Sequence, residues 1–292
     1  SVRSTMQDTL RALRDAAGDD EAAHAVEHLT RWEAATYPVL EPVFAQRAAE
    51  GHVRECHGDL HLENVAEVDG QTIAFDGIEF NPALRWVDTT SEVAFMAMDL
   101  AAHRLPALAH RFTNACHERS GDYDGLRTWR WYCVYRALVR ARVAAMRGDA
   151  DTQAGYLAVA LQGAQPPHPA LIATHGFSGS GKSTLASALV ESLGAIRLRA
   201  DIERRRVAGL DAFSHRASRP DASLYSAAMN AATYDRLFDL AVPALEGGLP
   251  VVLYATFLAR PQRERARAFA DSHGVPFVLL DLPSDRAVLR ER

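Results

Sequence analysis

Cysteine is scarce in this chain. The three residues, Cys56, Cys116 and Cys133, are far apart and odd in number. They build neither a disulfide framework nor a zinc pattern, so a reducing compartment is expected, and the cytoplasm is the simplest one. Long apolar runs are missing too. The most apolar stretch, Val93–Ala102, contains Asp99 and is followed closely by Arg104, which excludes a membrane span there. No signal-peptide pattern opens the chain. Positive charge is not in excess: the formal net charge is −5. That speaks against a chain whose main business is coating nucleic acid, and it leaves room for a local basic pocket. The remainder is globular, with 292 residues, 48% hydrophobic and 24% charged, enough for two separate cores. The chain starts at Ser1 rather than Met and stops at Arg292 in a charged, helical-looking stretch. We therefore expect a piece of a longer protein.

The most informative stretch is Ala170–Leu185, ALIATHGFSGSGKSTL. Gly176, Gly181, Lys182 and Ser183 fall in the spacing G-x-x-x-x-G-K-[ST], the P-loop pattern. Gly176, Gly179 and Gly181 let the backbone turn so that successive N–H groups face phosphate oxygens. Lys182 supplies a positive charge for the β- and γ-phosphates, and the Ser183 hydroxyl can hold Mg²⁺. A helix opening at Thr184 would add its partial positive charge. Leu171–Thr174 reads as a buried strand, and Leu185, Leu189 and Leu193 repeat at helical spacing. Strand, glycine loop and helix make an ATP site of Gly176, Ser178, Gly179, Ser180, Gly181, Lys182, Ser183 and Thr184.

A second chemical stretch is Val53–Phe80, VRECHGDLHLENVAEVDGQTIAFDGIEF. It carries H-G-D-x-x-x-x-N from His57 to Asn64. A hairpin then follows, with strands at Val65–Val68 and Thr72–Phe75 around an Asp69-Gly70 turn, and Asp76 comes next. The order matches a kinase-type catalytic loop followed by an Asp on a later strand. In that pattern Asp59 accepts or orients a hydroxyl proton, while Asn64 and Asp76 offer oxygens to Mg²⁺. His57 reads as holding the loop; His61 and Glu63 receive no role.

HGDLHLEN with FDGIEF resembles the aminoglycoside phosphotransferase-like, choline-kinase-like superfamily. The longer run IEFNPALRWVDTTSEVAFMAMDL resembles one branch of it, in which such a domain is fused to a C-terminal P-loop kinase-like ATP-binding domain. The resemblance implies Asp59 as catalytic base and Asn64 and Asp76 as metal ligands. It also implies a departure. Kinase-type folds carry an N-terminal lobe with a phosphate-gripping strand Lys, whereas the residues before His57 are too few, read as helices and contain no V-A-I-K stretch. The first domain is therefore expected to be a mostly helical C-lobe without its own complete ATP site.

Helices are expected over Met6–Leu40, with Pro38 and Pro42 interrupting before a short helix at Val43–Ala49. The aromatic and basic residues of Leu126–Arg147 read as helix packing, with the arginines facing solvent or pairing with acids. Gly163–Pro169, GAQPPHP, holds the only plausible linker. This sets the domains at 1–163 and 170–292, with 164–169 between them. The second is expected to be an α/β P-loop domain with a parallel sheet.

In that domain RADIERRRVAGL resembles the segment after the second strand in gluconate- and shikimate-kinase-like enzymes. That resemblance implies Asp201 as a substrate-orienting or proton-accepting group and Arg204 or Arg205 as an anion clamp. A solvated helix face is the competing reading for the arginines. Phe213–Arg219 reads as a polar loop, and Ser223–Leu245 as one long amphipathic helix. Pro250–Ala255 reads as a buried strand, and Tyr254 stands where the related kinases have Asp. A phenol is neutral at pH 7, so the substitution bears on catalysis. Arg260, placed with the substrate-binding residues, is expected to precede the next helix with Arg263 and Arg265. A lid over ATP would follow near Arg292. The expectation is ATP- and Mg²⁺-dependent phosphoryl transfer to a small hydroxylated metabolite. Two alternatives stand beside it: an ATP-binding regulatory or scaffold module, and a nucleic-acid or nucleotide-sugar kinase. Neither a membrane nor nucleic acid is an expected partner.

Overall fold

A computed structural model of the chain describes residues 2–213 and 222–282, with backbone only at 222 and 223. Most of the expected loop at Phe213–Arg219 and the expected lid near Arg292 lie outside the described residues. The chain divides into two compact units, Ser1–Cys116 with Gly125–Pro166, and His117–Asp124 with Pro167–Arg292.

The first unit is mostly helical. Helix α1 (Val2–Asp15) leads to α2 (Asp20–Ala49), whose first turn is capped by Asp19 accepting from the Ala22 amide. Helix α2 is continuous, and Pro38 and Pro42 lie inside it. The expected break is thus corrected. Each proline forfeits a backbone hydrogen bond, but continuing the helix keeps Tyr37 and Phe44 on one face. Their rings stack 5.6 Å apart, and Phe44 meets Trp131 at 5.1 Å and Tyr132 at 5.4 Å. Packing outweighs the local preference.

Two small antiparallel pairs follow: β1 (Val53–Glu55) with β4 (Trp86–Asp88), and the hairpin β2 (Val65–Val68) with β3 (Gln71–Ala74). Helices α3 (Thr89–Ala102), α4 (Pro106–Ser120), α5 (Trp129–Arg147) and α6 (Ala150–Ala164) complete the set, the end of α4 grouping with the second unit. Asp88 caps α3 through the Thr90 amide. It also receives two hydrogen bonds of 2.8 Å from the fully buried Arg47. Thr90 and Arg47 stand so close to Gly125 that a Cβ there would lie 2.0 Å from the Thr90 hydroxyl. Helix α5 supplies the core with Trp131, Val134, Leu138 and Ala141. Its Arg136 and Arg140 are buried rather than solvent-facing. Arg140 pairs with Glu63 at 2.9 Å, and Arg136 donates to the Ser91 hydroxyl at 3.1 Å.

The second unit is built on a four-stranded parallel sheet of β5 (Leu171–His175), β6 (Ile196–Arg199), β7 (Val251–Tyr254) and β8 (Phe277–Asp281), in the order β6-β7-β5-β8. Leu171–Thr174 and Val251–Leu253 are wholly buried, as strands covered on both faces require. Helices α7 (Lys182–Leu193), α8 (Ala200–Val207), α9 (Ala227–Glu246) and α10 (Arg260–Ser272) alternate with the strands, the βα pattern that yields parallel pairing. Helix α9 starts later than expected. A 3-10 turn at Ala222–Tyr225 precedes it, and Ser226 caps it through the Met229 amide. Arg260, Arg263 and Arg265 lie within α10 rather than before it. Among the described residues no helix is long and apolar enough to cross a membrane.

Candidate functional site

The sheet order decides what stands at the P-loop. Strand β7 pairs with β5 in parallel, Leu171 opposite Val251, so the two carboxyl ends emerge together, where open α/β sheets bind ligands. The loop leaving β5 is tied to the end of β7 by a 3.2 Å hydrogen bond from the Gly176 amide to the Thr256 carbonyl. Gly176, Gly179 and Gly181 have φ of 143°, 84° and 89°, a region open to glycine at little cost. At Gly176 a Cβ would also sit 2.9 Å from both the Leu282 carbonyl and the Ser180 hydroxyl.

Lys182 opens α7 behind Gly181, which has no side chain to cap the helix. The first amides of α7 are thereby left for an anion. Lys182 is the only lysine in the chain. Its ammonium is buried and donates to the Gly176 carbonyl at 2.8 Å and to the Phe177 carbonyl. Burial pushes its pKa below the ordinary lysine value. The Ser183 hydroxyl bonds the Tyr254 phenol at 2.7 Å.

A cleft of about 510 Å³ opens here. Ser178, Gly179, Gly181, Lys182 and Ser183 line it together with Asp201, Arg204 and Arg205 from α8 and Tyr254 from β7. Asp201 is held by Arg199, which donates at 2.6 and 3.2 Å. Arg204 donates to the Leu224 carbonyl at 3.0 Å and to Asn230 Oδ1 at 2.6 Å. Arg205 donates to the Asp211 carbonyl at 2.9 Å. Gly176, Ser180 and Thr184 belong to the loop and first helical turn without lining the cleft. Arg260 does not line it either; it is exposed on α10 and pairs with Glu264 at 2.7 Å. Among the wall residues that escaped sequence reasoning, Tyr225, Tyr234 and Thr256 carry polar groups in their side chains. The aromatic run in Ser223–Leu245 carried the signal for the first two, read as packing.

These features fit a nucleoside triphosphate: uncapped amides, a glycine cradle and a buried cation. A hard cation suits the Ser183 hydroxyl and a carboxylate, and among the described residues Asp201 is the carboxylate that lines the cleft.

In the first unit the loop after β1 is anchored at several points. The Gly58 amide donates to Glu92 Oε1 at 3.0 Å, and the Leu62 amide to the buried Asp99 at 2.9 Å. His57 Nε2 meets the Phe75 carbonyl at 2.7 Å, and the Phe75 amide donates to the Asn64 carbonyl at 3.0 Å. The hairpin is thereby fastened to the loop. Asn64 Nδ2 donates to the Asp59 carbonyl at 2.9 Å and carboxylate at 3.3 Å. Asp59 and Asn64 are thus brought together. Asp76 follows the fastened Phe75, exposed, with φ of 59°. Among the described residues no group of three His, Cys, Asp or Glu is arranged around a metal-sized space.

His61, without a role in the sequence reading, is buried and lies 3.3 Å from both the Asp59 carboxylate and Arg140 Nη1. Its hydrogen bond, with the charges of Arg140 and Arg136 behind it, holds the Asp59 carboxyl below the usual carboxylate range. A cleft of about 820 Å³ beside Asp59 carries Tyr37, Phe44, Trp86, Tyr132 and Tyr135 in its walls.

Comparison with known proteins adds a family to the geometry of the second unit. An uncharacterized protein of Mycobacterium tuberculosis and one of Mycobacterium bovis are each 33% identical over 262 residues, which is 86% of this chain and 53% of theirs. The chain spans about half the length of these curated relatives. Residues 171–292 match the family model described as an AAA domain. With β5, the glycine loop and α7 in their observed places, this C-terminal part is P-loop NTPase-like.

Proposed function

We propose that the second unit binds ATP with Mg²⁺ and transfers the γ-phosphoryl group to a hydroxyl of a small metabolite. One observation carries this reading: the buried Lys182 of a glycine cradle shares a single cleft with Asp201 and Arg204. The loop amides and the head of α7 would hold the β- and γ-phosphates, and Lys182 would leave its two carbonyl partners to meet them. Bound Mg²⁺ would supply charge neutralisation for the transferring group. Asp201 would orient the acceptor hydroxyl and take its proton as the acceptor oxygen bonds to phosphorus and the bond to the β-phosphate oxygen breaks. Catalysis of this type rests on positioning and electrostatics. Such a reaction places the protein in the cytoplasm, with ATP and a small molecule as its partners.

The domain division 1–163, 164–169 and 170–292 belongs to the same proposal. The first domain is read as an aminoglycoside phosphotransferase-like C-lobe, with Asp59 as base and Asn64 and Asp76 directed to a metal. A second reading is favoured by a specific observation. Tyr254 engages Ser183 where a carboxylate would serve a metal, which suits an ATP-binding module with weakened catalysis.

Calorimetry with Mg·ATP tests the site. Lys182→Ala should abolish measurable binding, because the chain has no other lysine to replace the charge. Equal affinity of the two proteins would refute the assignment. ATP turnover with and without metabolite pools separates an enzyme from a binding module.

A further inference from the structure

The wall of the cleft facing the P-loop has a character of its own. Tyr225, Tyr234 and Tyr254 all line it, and these are the only tyrosines after Tyr156. Tyr225 is built in rather than loose. Its carbonyl accepts from Asn230 Nδ2 at 3.2 Å, and the other end of the same amide accepts from Arg204 Nη1 at 2.6 Å. The Arg204 guanidinium lies 5.2 Å from the Tyr225 ring centre. One asparagine therefore ties the Tyr225 backbone to the cation beside its ring. Yet the tyrosine is 63% exposed. Among the described residues, Arg204 Nη2 and Nε have no hydrogen-bond partner.

An aromatic ring whose backbone is tied down, with a guanidinium over it and most of its surface still exposed in a cleft, is a stacking platform, because a flat ring recovers contact area at low conformational cost. The unpartnered guanidinium nitrogens beside it suit an anionic group. Resting on the phosphoryl-transfer reading above, we propose that the acceptor is a small hydroxylated molecule with a flat aromatic or heteroaromatic ring and an anionic substituent. The ring stacks on Tyr225 and the anion meets Arg204. A ringless polyhydroxy acid leaves the platform bare.

The test is calorimetry on the protein loaded with Mg²⁺ and the non-hydrolysable ATP analogue AMP-PNP. Two ring probes are used, uridine 5′-monophosphate with a phosphate and 4-(hydroxymethyl)benzoate with a carboxylate, against ringless gluconate. At least one ring probe should bind more tightly than gluconate; which one tells phosphate from carboxylate. Tyr225→Leu should weaken that probe about 5- to 100-fold, the range for loss of one stacking partner, and Tyr225→Phe should retain it. AMP-PNP affinity should stay the same in both variants, which also reports that the unit is folded. Failure of AMP-PNP to bind the unaltered protein would overturn the phosphoryl-transfer reading and this proposal with it. Binding of AMP-PNP with no preference for either ring probe would overturn the proposal alone. Loss of AMP-PNP affinity in Tyr225→Leu, with Tyr225→Phe normal, would assign the platform to the base of ATP and overturn it as well.

Discussion

The contact between Ser183 and Tyr254 makes the sharpest prediction. Before Ser183 can turn its oxygen to a cation, its 2.7 Å bond to the phenol must be rearranged, and a neutral phenol offers the cation no compensating charge. Tyr254→Phe keeps the bulk of the ring and removes only the hydroxyl. A net hydrogen bond of this kind is worth about 0.5–1.5 kcal/mol. The free protein loses that stabilisation and the metal-bound one does not, so Mg·ATP should bind roughly 2- to 12-fold more tightly to the variant. ATP without metal should bind the two proteins alike, because Lys182 and the loop amides are untouched. Isothermal titration with Mg²⁺ and with a chelator reads both numbers. In a Ser183→Ala background the gain should vanish, since the pair no longer exists. Unchanged or weaker Mg·ATP binding by a folded Tyr254→Phe protein would refute the competition argument and make Tyr254 a supporting partner of the metal site.

Three further outcomes are expected. Tyr254→Asp should raise the single-turnover phosphoryl-transfer or ATPase rate at saturating Mg·ATP by on the order of 10²–10³ if position 254 is a lost electrostatic contact; an unchanged rate would show that it is not. Arg47→Ala should destabilise the first unit by about 3–5 kcal/mol in urea titrations, because it strands the buried Asp88 carboxylate, whereas a loss below about 1 kcal/mol would mean water replaces the guanidinium. His61→Phe should let the Asp59 carboxyl titrate higher, read by carboxyl carbon NMR, since His61 is the first cause of its lowered pKa. The stability Asp59 gives is present above its unfolded-state value and is lost as pH falls through its folded one. The variant should therefore be less stable than the parent near neutrality, with the difference closing in acid; a gap independent of pH would place the cause elsewhere.

What sequence could announce depended on how local the physics is. Strand β5, the glycine loop and α7 are contiguous. Their apolar run, their positive-φ glycines and the helical repeat of Leu185 and Leu189 act within a few residues of one another. The Asp69-Gly70 turn and the Asp88 cap are equally local. Helix α2 is the counterexample. Pro38 and Pro42 signal a break, and the opposing energy comes from Trp131 and Tyr132, far along the chain. Arg136 and Arg140 show the same limit. Their charge suggests solvent or an acid partner; Arg140 does pair with Glu63, and burial of the two is made tolerable by Ser91, the Gly58 carbonyl, Glu63 and Tyr156, partners whose identity only the fold decides.

The same distinction separates the two halves of the nucleotide cleft. The phosphate half is written in one motif because amides, glycines and lysine act through a single turn of backbone. The opposite half is assembled by sheet order. Strand β7 lies between β6 and β5, so residues at the ends of β6 and β7 reach a loop that follows β5. This is how Asp201 at the head of α8 and Tyr254 at the end of β7 come to face Lys182 and Ser183 across one cleft. The P-loop thus fixes where phosphate binds in any chain that carries it. On the proposed reading, the identity of the acceptor would be set by the neighbouring strand ends and by α8 and α9, where Tyr254 and the Arg204 guanidinium beside Tyr225 can change the chemistry without disturbing the motif.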